Sequence, residues 1–181
     1  MKTTNTNIEG CIVITPTVFT DERGYFVETF NQQKYSKILP DTTFVQDNES
    51  RSQYGVIRGL HYQIGEYCQA KLVRVIQGKV LDVVVDLRKN SPSFGKHFSI
   101  KLSEENHKQL FVPRGCAHGF AVLSDIATFS YKCDNFYNPQ QEAGVIYNDP
   151  ELAIDWKIPA DKHICSKKDL LWPRFETAKH F

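Results

Sequence analysis

Short runs of apolar and polar residues alternate along this chain, and the pattern predicts β-strands through most of its middle. From residue 43 to about residue 135, the runs follow one another with Gly, Pro or polar turns between them. Many short strands at close spacing are typical of a sandwich or a small barrel. We therefore expect an all-β fold, a jelly-roll β-barrel with short peripheral helices.

The clearest pair of predicted strands is KLVRVIQGKVLDVVVDL, residues 71–87. Two β-branched runs meet at Gln77-Gly78, which favours a short hairpin between them. Side chains alternate between faces along a strand, so the second run has one apolar face and one face with two aspartates. The two faces are Leu81, Val83, Val85 and Leu87, and Asp82, Val84 and Asp86.

Helical patterns are few and short. NQQKYSKIL, residues 31–39, predicts about two turns that end before Pro40, which a helix does not continue through. Near the C-terminus, Ser166-x-x-Asp169 matches a capping box and predicts one further turn. No repeat, low-complexity tract or break in composition divides the chain, so we expect a single domain over residues 1–181.

Composition and charge narrow the class of protein. Hydrophobic residues make up 41% and aromatic residues 12%, which is enough for a sizeable core. The formal charge is only +1 and no Lys/Arg block occurs, so we expect no nucleic-acid partner. No apolar run approaches the roughly 20 residues of a membrane span, and the polar N-terminus lacks a signal-peptide pattern.

The cysteines indicate a reducing compartment. Their number is odd, they are scattered, and no C-x-x-C pair occurs, which suits buried reduced thiols in a cytoplasm better than a disulfide framework. They are Cys11, Cys68, Cys116, Cys133 and Cys165.

Two histidines lie where chemistry is expected: His61 in VIRGLHYQ and His118 in PRGCAHGF. A transition metal needs three or four ligands, but Gln63 follows His61 where a second imidazole would be needed, and Glu66 is an isolated alternative. No phosphate loop, dinucleotide fingerprint or nucleophile elbow occurs. We therefore expect no metal and no cofactor. His61 is then either a hydrogen-bonded core residue or a catalytic one.

Six segments in the same order resemble the dTDP-4-dehydrorhamnose 3,5-epimerase family, and the resemblance runs from about residue 8 to residue 170. In addition, Pro113-x-Gly115-x-x-His118 resembles the second motif of the cupin barrels, which implies a cupin-like jelly roll. The six segments are VFTDERGYFVETFNQQKY, FVQDNESRS, VIRGLHYQ, KLVRVIQGKVLDVVVDLRKNSPSFGK, FVPRGCAHGFAVLS and YKCDNFYNP.

The resemblance implies an isomerase that inverts C3 and C5 of a dTDP-linked 4-keto-6-deoxy sugar, in dTDP-L-rhamnose biosynthesis. Each inversion needs a base, an acid on the opposite face and a cation at the ketone oxygen. By the resemblance, His61 is the base and Tyr131 the acid. Asp169 matches the carboxylate that orients His61, and Lys71 matches the cation.

Each of these residues also has an ordinary structural interpretation. Asp169 would serve the capping box, and both roles can hold because a carboxylate has two oxygens. Asp82, which the alternation places on the inner face of the barrel, is an alternative partner for His61. Tyr131 could be a core residue of its strand, and Lys71 a solvated strand edge.

The remaining family matches are substrate-binding positions. Lys71 is expected to bind the substrate as well as to act as the cation. Those near the diphosphate and sugar are Arg23, Arg58, His118 and Lys168. Those matched to the nucleoside and its surroundings are Glu28, Gln46, Asp47, Asn48, Glu142 and Tyr137, with Tyr137 stacked on the base.

The resemblance also implies a homodimer. In the family, the N-terminal segment, here residues 1–45, packs on the partner subunit, and Arg23 and Glu28 complete the partner's site. Phe136 departs from relatives that have tyrosine there, which affects secondary contacts only.

Strand parity predicts an irregularity at Gly59. In a regular strand Arg58 and His61 point to opposite faces, yet the resemblance uses both at the ligand. A glycine inside a strand often marks a bulge or a close backbone approach.

Two alternatives to the double epimerase stay open: an epimerase that inverts C3 or C5 only, and a sugar-binding barrel without catalysis.

Overall fold

The structure is a computed structural model that describes residues 1–181. It contains thirteen strands, one short α-helix and five 3-10 turns. The strands are β1 (Lys2–Asn5), β2 (Ile12–Thr15), β3 (Val18–Asp21), β4 (Gly24–Val27), β5 (Gln46–Gln53), β6 (Ile57–Gln63), β7 (Lys71–Gln77), β8 (Lys79–Asp86), β9 (His97–Ser103), β10 (Gln109–Val112), β11 (Cys116–Val122), β12 (Ile126–Cys133) and β13 (Glu142–Gly144). The helix is α1 (Gln32–Tyr35), and the 3-10 turns are Gly65–Tyr67, Pro139–Gln141, Ala160–Lys162, Asp169–Leu171 and Phe175–Thr177.

Two antiparallel sheets face each other. The six-stranded sheet has the order β1-β2-β10-β7-β12-β5, and the five-stranded sheet has the order β13-β6-β11-β8-β9. Strands β3 and β4 form a separate two-stranded ribbon. The predicted all-β jelly roll is confirmed by this topology.

The main core lies between the two sheets and a second core lies behind the five-stranded sheet. Val73 of β7 and Val84 of β8 belong to the first, whereas Leu81 and Val83 of β8 pack in the second with Trp156 of the C-terminal segment. The predicted alternation along β8 is therefore confirmed. Because both faces of this sheet are covered, seven of the eight residues of β8 are buried.

The expected hairpin at Gln77-Gly78 is wrong. Strand β7 pairs with β10 and β12, whereas β8 pairs with β9 and β11, so the chain passes from one sheet to the other at Gly78. Gly78 has φ +77°, and a Cβ there would lie 2.1 Å from the carbonyl oxygen of Ile126. The start of β12 thus approaches the backbone of this corner too closely for a side chain, and the positive φ also favours glycine.

The predicted helix at 31–39 is present but shorter. Only Gln32–Tyr35 is α-helical, and the Asn31 side chain caps it by accepting from the backbone N–H of Lys34. A hydrogen bond from Leu39 N to Tyr35 O at 2.8 Å continues the turns as far as Pro40. None of the helices is of a length and apolarity suited to crossing a membrane.

Candidate active site

A cavity of about 300 Å³ opens between the two sheets. His61 of β6 and His118 of β11 reach it from the five-stranded sheet. Lys71 of β7 and Tyr131 of β12 reach it from the six-stranded sheet. The structure thus brings the predicted base, acid and cation to one space, with the imidazole and the phenol on opposing sheets. The lining residues are Asn48, Glu49, Ser50, Arg58, His61, Lys71, His118, Phe120, Phe129 and Tyr131.

His61 is paired with a buried carboxylate. Its Nε2 lies 2.7 Å from Oδ1 of Asp169, whereas Nδ1 has no hydrogen-bond partner in the protein. Burial opposes ionisation of Asp169, but the hydrogen bond and charge of His61 and the Ser166 hydroxyl hold its pKa below the ordinary value. The carboxylate therefore stays charged and orients the imidazole, as in other His–Asp pairs.

Asp169 also serves the predicted cap. Its backbone N–H donates to Oγ of Ser166 at 3.1 Å, at the start of the 3-10 turn Asp169–Leu171. The carboxylate pairs with His61. The expected contact with His61 is therefore present, but the Asp169 carboxylate makes no bond to the backbone N–H of Ser166, so the predicted capping box is only half formed.

The alternative pairing of His61 with Asp82 is wrong. Asp82 is fully buried on the inner face of β8, and both of its oxygens contact Nε2 of His118, at 3.0 and 2.9 Å. Burial raises the pKa of Asp82, against the charge of His118. Each cavity histidine has its own carboxylate, and no group of three or more His, Cys, Asp or Glu side chains is arranged to hold a metal ion.

Lys71 and Tyr131 lie side by side on the other wall. The Nζ of Lys71 is 5.8 Å from the centroid of the Tyr131 ring. Burial lowers the pKa of Lys71, opposed by the carboxylates of Asp82 and Glu142, and burial raises the pKa of Tyr131. The phenol is therefore protonated at neutral pH, and Lys71 faces the cavity rather than lying at a solvated strand edge.

The predicted irregularity at Gly59 is confirmed. The register of β11 against β6 shifts between His118 and Phe120, and Gly59 has φ +130° and a cis peptide bond to Leu60. A Cβ on Gly59 would lie 2.6 Å from the Cα of Gly119. The shift brings Arg58 and His61 to the same cavity despite their spacing.

Arg58 is held in place by a residue that the sequence analysis missed. Its Nε donates to Oγ of Ser52 at 3.1 Å. Ser52 belongs to a set of inward-facing polar positions on β5. The sequence analysis also missed the apolar wall of the cavity, which Phe120 and Phe129 form with their ring centroids 4.1 Å apart. The signal for the β5 positions was readable, because Gln46, Asn48, Ser50 and Ser52 follow the strand period of two.

A second space of about 370 Å³ extends the cavity past Arg58 and His61 towards Glu142 and Lys168. There the carboxylate of Glu142 accepts from the hydroxyl of Tyr137 at 2.6 Å and pairs with the ammonium of Lys168. Burial opposes ionisation of Glu142, but these two partners hold its pKa below the ordinary value.

Gln46 connects this group to Asn48. Its side chain accepts from the backbone N–H of Tyr137 at 3.2 Å and donates to Oδ1 of Asn48 at 3.0 Å. The predicted positions Gln46, Asn48, Tyr137, Glu142 and Lys168 therefore form one polar rim around the entrance.

Three predicted binding residues lie away from the cavity. Asp47 points to the other face of β5 and pairs with Lys132 at 2.7 Å. Arg23, with 83% of its side chain exposed, pairs with Asp21 on the β3–β4 ribbon. Glu28, just after this ribbon, pairs with Lys34. Their substrate-binding roles stay predictions.

The fold and this set of side chains define a jelly-roll protein with two histidine–carboxylate pairs, a lysine and a tyrosine around an internal cavity. The sequence model of the dTDP-4-dehydrorhamnose 3,5-epimerase family matches residues 5–177. The chain belongs to this family of isomerases.

Relatives match over nearly their whole length. The dTDP-4-dehydrorhamnose 3,5-epimerase of Shigella flexneri is 47% identical over 182 residues, which cover 100% of this chain and 99% of the relative. The crystal structure of that enzyme from Elizabethkingia anophelis NUHP1 has a TM-score of 0.95 and 53% identity, covering 100% of this chain and 99% of the other.

One similar structure contains a sugar nucleotide. It is the dTDP-6-deoxy-D-glucose-3,5-epimerase of Legionella pneumophila Philadelphia 1 in complex with dTDP-4-keto-L-rhamnose. Its TM-score is 0.93 and its identity 45%, with 97% of this chain and 93% of the other covered.

Proposed function

We propose that this protein converts dTDP-4-dehydro-6-deoxy-D-glucose to dTDP-4-dehydro-L-rhamnose by inverting C3 and C5, in dTDP-L-rhamnose biosynthesis. The observation that carries the proposal is the placement of His61 and Tyr131 on opposing sheets around one cavity, with Lys71 beside the phenol. The family membership supports the same substrate and reaction. The whole chain acts as one epimerase domain.

His61 begins each inversion. Its imidazole removes the proton α to the ketone, and the electron pair of the C–H bond moves into the enolate. Imidazole titrates near neutral pH, and general-base catalysis contributes roughly 10²–10⁴-fold. Asp169, 2.7 Å away, stabilises the imidazolium that forms.

Lys71 stabilises the negative charge that develops on the ketone oxygen. A well-placed donor or charge at such an oxygen is worth about 3–4 kcal/mol. Its position inside the cavity strengthens this interaction, because water screens it less there.

Tyr131 completes the inversion from the other face. Its phenol donates a proton to the carbon, and the enolate returns to the ketone with the configuration reversed. One proton leaves the substrate and one arrives, so the reaction has no net redox change and needs no redox cofactor. The imidazolium of His61 then loses its proton to solvent and the phenolate of Tyr131 takes one from solvent, which restores both groups for the next inversion.

The polar rim supports binding of the nucleotide. We expect Arg58, His118 and Lys168 to contact the diphosphate and sugar, since all three line the two connected spaces and guanidinium groups suit phosphate oxygens. Tyr137 is 50% exposed while its hydroxyl is held by Glu142, so its ring face is available to stack on thymine.

The working unit that we propose is a homodimer. The β3–β4 ribbon exposes Phe19, Tyr25 and Phe26 at 63%, 61% and 67%, which is unusual for aromatic side chains of a lone subunit. Packing of this ribbon on a second subunit would cover them and carry Arg23 and Glu28 to the partner's cavity.

The five unpaired cysteines support a reducing, cytoplasmic setting.

Solvent exchange tests the function. The enzyme is incubated with dTDP-4-dehydro-6-deoxy-D-glucose in D₂O, and deuterium at C3 and C5 is counted by mass spectrometry and NMR. The proposal predicts deuterium at both carbons and an L-rhamno product. Deuterium at one carbon would indicate a single-carbon epimerase, and none would indicate a sugar-binding barrel.

A further inference from the structure

Trp172 lies beside the imidazole–carboxylate pair, although no step of the mechanism uses it. It directly follows the 3-10 turn Asp169–Leu171. Its ring stands edge-on to that of His61, with centroids 6.1 Å apart and an interplanar angle of 71°. The same residue therefore ends the turn that carries Asp169 and contacts the ring that Asp169 orients.

The indole is seated in a notch that a glycine leaves open. A Cβ on Gly144 would lie 2.5–2.7 Å from three atoms of the indole, so no larger residue fits there. Gly144 of β13 is the direct partner of His61 on β6. The notch thus belongs to the strand that pairs with the one carrying the proposed base.

Two further residues, Lys168 and Pro173, hold the segment around Trp172 in place. The backbone N–H of Ile146 donates to the carbonyl of Pro173 at 2.9 Å. The ammonium of Lys168 lies 5.5 Å from the indole, a cation–π arrangement, and also pairs with Glu142. The indole Nε1 is buried without a hydrogen-bond partner, so packing, and not a hydrogen bond, holds the ring.

We propose that Trp172 is a positioning residue: its indole, seated on Gly144, holds the turn bearing Asp169 against the strand bearing His61. This inference rests on the proposed function, in which His61 is the base. A displacement of about 1 Å at such a pair can cost about 10²-fold in rate. Filling the Gly144 notch therefore maintains the Asp169–His61 contact through the catalytic cycle.

The first test compares three variants. Trp172→Ala should lower kcat about 10- to 100-fold, and Trp172→Phe should restore most of it because a smaller ring still fills the notch. Leu171→Ala is the matched control, since Leu171 lies in the same turn but is 83% exposed. It should keep wild-type kcat. Wild-type kcat in Trp172→Ala would overturn the proposal.

The second test is a double-mutant cycle with Asp169→Asn. If Trp172 acts through Asp169, adding Trp172→Ala to Asp169→Asn should change kcat less than about twofold, because the contact is already lost. Losses that multiply fully would show an independent role and overturn the proposal. Melting temperatures of all variants separate a loss of folded enzyme from a loss of kcat.

A third test, with Gly144→Ala, applies if Trp172→Ala does not fold. Gly144→Ala keeps the indole but pushes it out of the notch, so kcat should fall as well, and Trp172→Phe in that background should restore part of it. Unchanged kcat in Gly144→Ala would contradict the proposal. If the wild type and Leu171→Ala show no exchange at C3 or C5, the proposed function fails instead.

Discussion

His61 and His118 are direct partners on the antiparallel strands β6 and β11, and each imidazole contacts a different buried carboxylate. His61 reaches Asp169 at 2.7 Å and keeps 29% of its side chain exposed, whereas His118 reaches Asp82 at 2.9 Å and keeps 7%. The more exposed ring, that of His61, is the one proposed as the base. The more buried ring, that of His118, lies in the wall of the cavity.

Removal of the Lys71 charge should impair turnover far more than folding. We expect Lys71→Met to lower kcat about 10²–10³-fold, because the developing oxyanion loses its cation. Stability should change little, since replacing a desolvated charge with an apolar side chain of similar length is often neutral. Steady-state kinetics and urea unfolding measure the two effects. The control is Lys101→Met on the exposed side of β9, and equal kcat in the two variants would contradict the assignment.

The close approach of β6 and β11 should make Gly59 irreplaceable. Gly59→Ala should destabilise the protein by about 2–4 kcal/mol, because the methyl would meet the Gly119 backbone at 2.6 Å and the positive φ disfavours a side chain. Gly24→Ala is the matched control. Gly24 has φ +127° and nothing within 4 Å, so it reports the backbone cost alone. Equal unfolding free energies of the two variants would rule out the close approach.

Asp86 should give the protein an acid-sensitive contribution to stability. Burial opposes its ionisation, but hydrogen bonds from Arg88, Ser91 and Ser93 hold its pKa at about 2. A depressed carboxyl pKa stabilises the folded state above the ordinary value of about 4, and the contribution is lost as pH falls towards about 2.

The size of this contribution follows from the shift. Two pKa units correspond to about 2–3 kcal/mol, so Asp86→Asn should be less stable than the wild type at neutral pH. The difference should shrink between about pH 4 and pH 2 in urea titrations. The exposed Asp41→Asn is the control for removal of one carboxylate, and its free energy of unfolding at neutral pH should stay close to that of the wild type. A pH-independent difference for Asp86→Asn would exclude the ionic contribution.

Mixed dimers test whether each site is completed by the partner subunit. Arg23→Ala and His61→Ala should each have low activity alone. If Arg23 enters the partner's cavity, a heterodimer of the two variants has one cavity that carries both substitutions and one that carries neither. One of its two sites should therefore be active. Co-expressed, differently tagged subunits, purified through both tags, provide the sample. Activity no higher than that of either homodimer would show that Arg23 does not cross.

Much of the cavity could be predicted because alternation reports which face a side chain occupies. It placed Asp82 inside, and the conflict between Arg58 and His61 correctly indicated the irregularity at Gly59. Alternation does not report which strands pair. Strands β7 and β8 show the same pattern whether they form a hairpin or cross between sheets, and the choice depends on the pairing of each with strands distant in sequence.

The position of Trp172 and the bond between Ser52 and Arg58 could not be predicted from the sequence, although the alternation along β5 puts Ser52 on the inner face. Trp172 lies in an irregular segment without periodicity, and its contact with Gly144 joins residues 28 positions apart. Ser52 acts on Arg58 through a turn whose geometry depends on the sheet pairing. Both contacts depend on tertiary packing, which a local pattern does not contain.

The most direct test of the base-and-acid assignment separates exchange from inversion. In D₂O, His61→Ala should lose deuterium incorporation at both carbons, because no base removes the α proton. Tyr131→Phe should still exchange a proton on the His61 face but form no inverted product, since the opposite face lacks its acid. Melting curves confirm that both variants are folded. Wild-type epimerisation by Tyr131→Phe, or undiminished exchange in His61→Ala, would contradict the assignment.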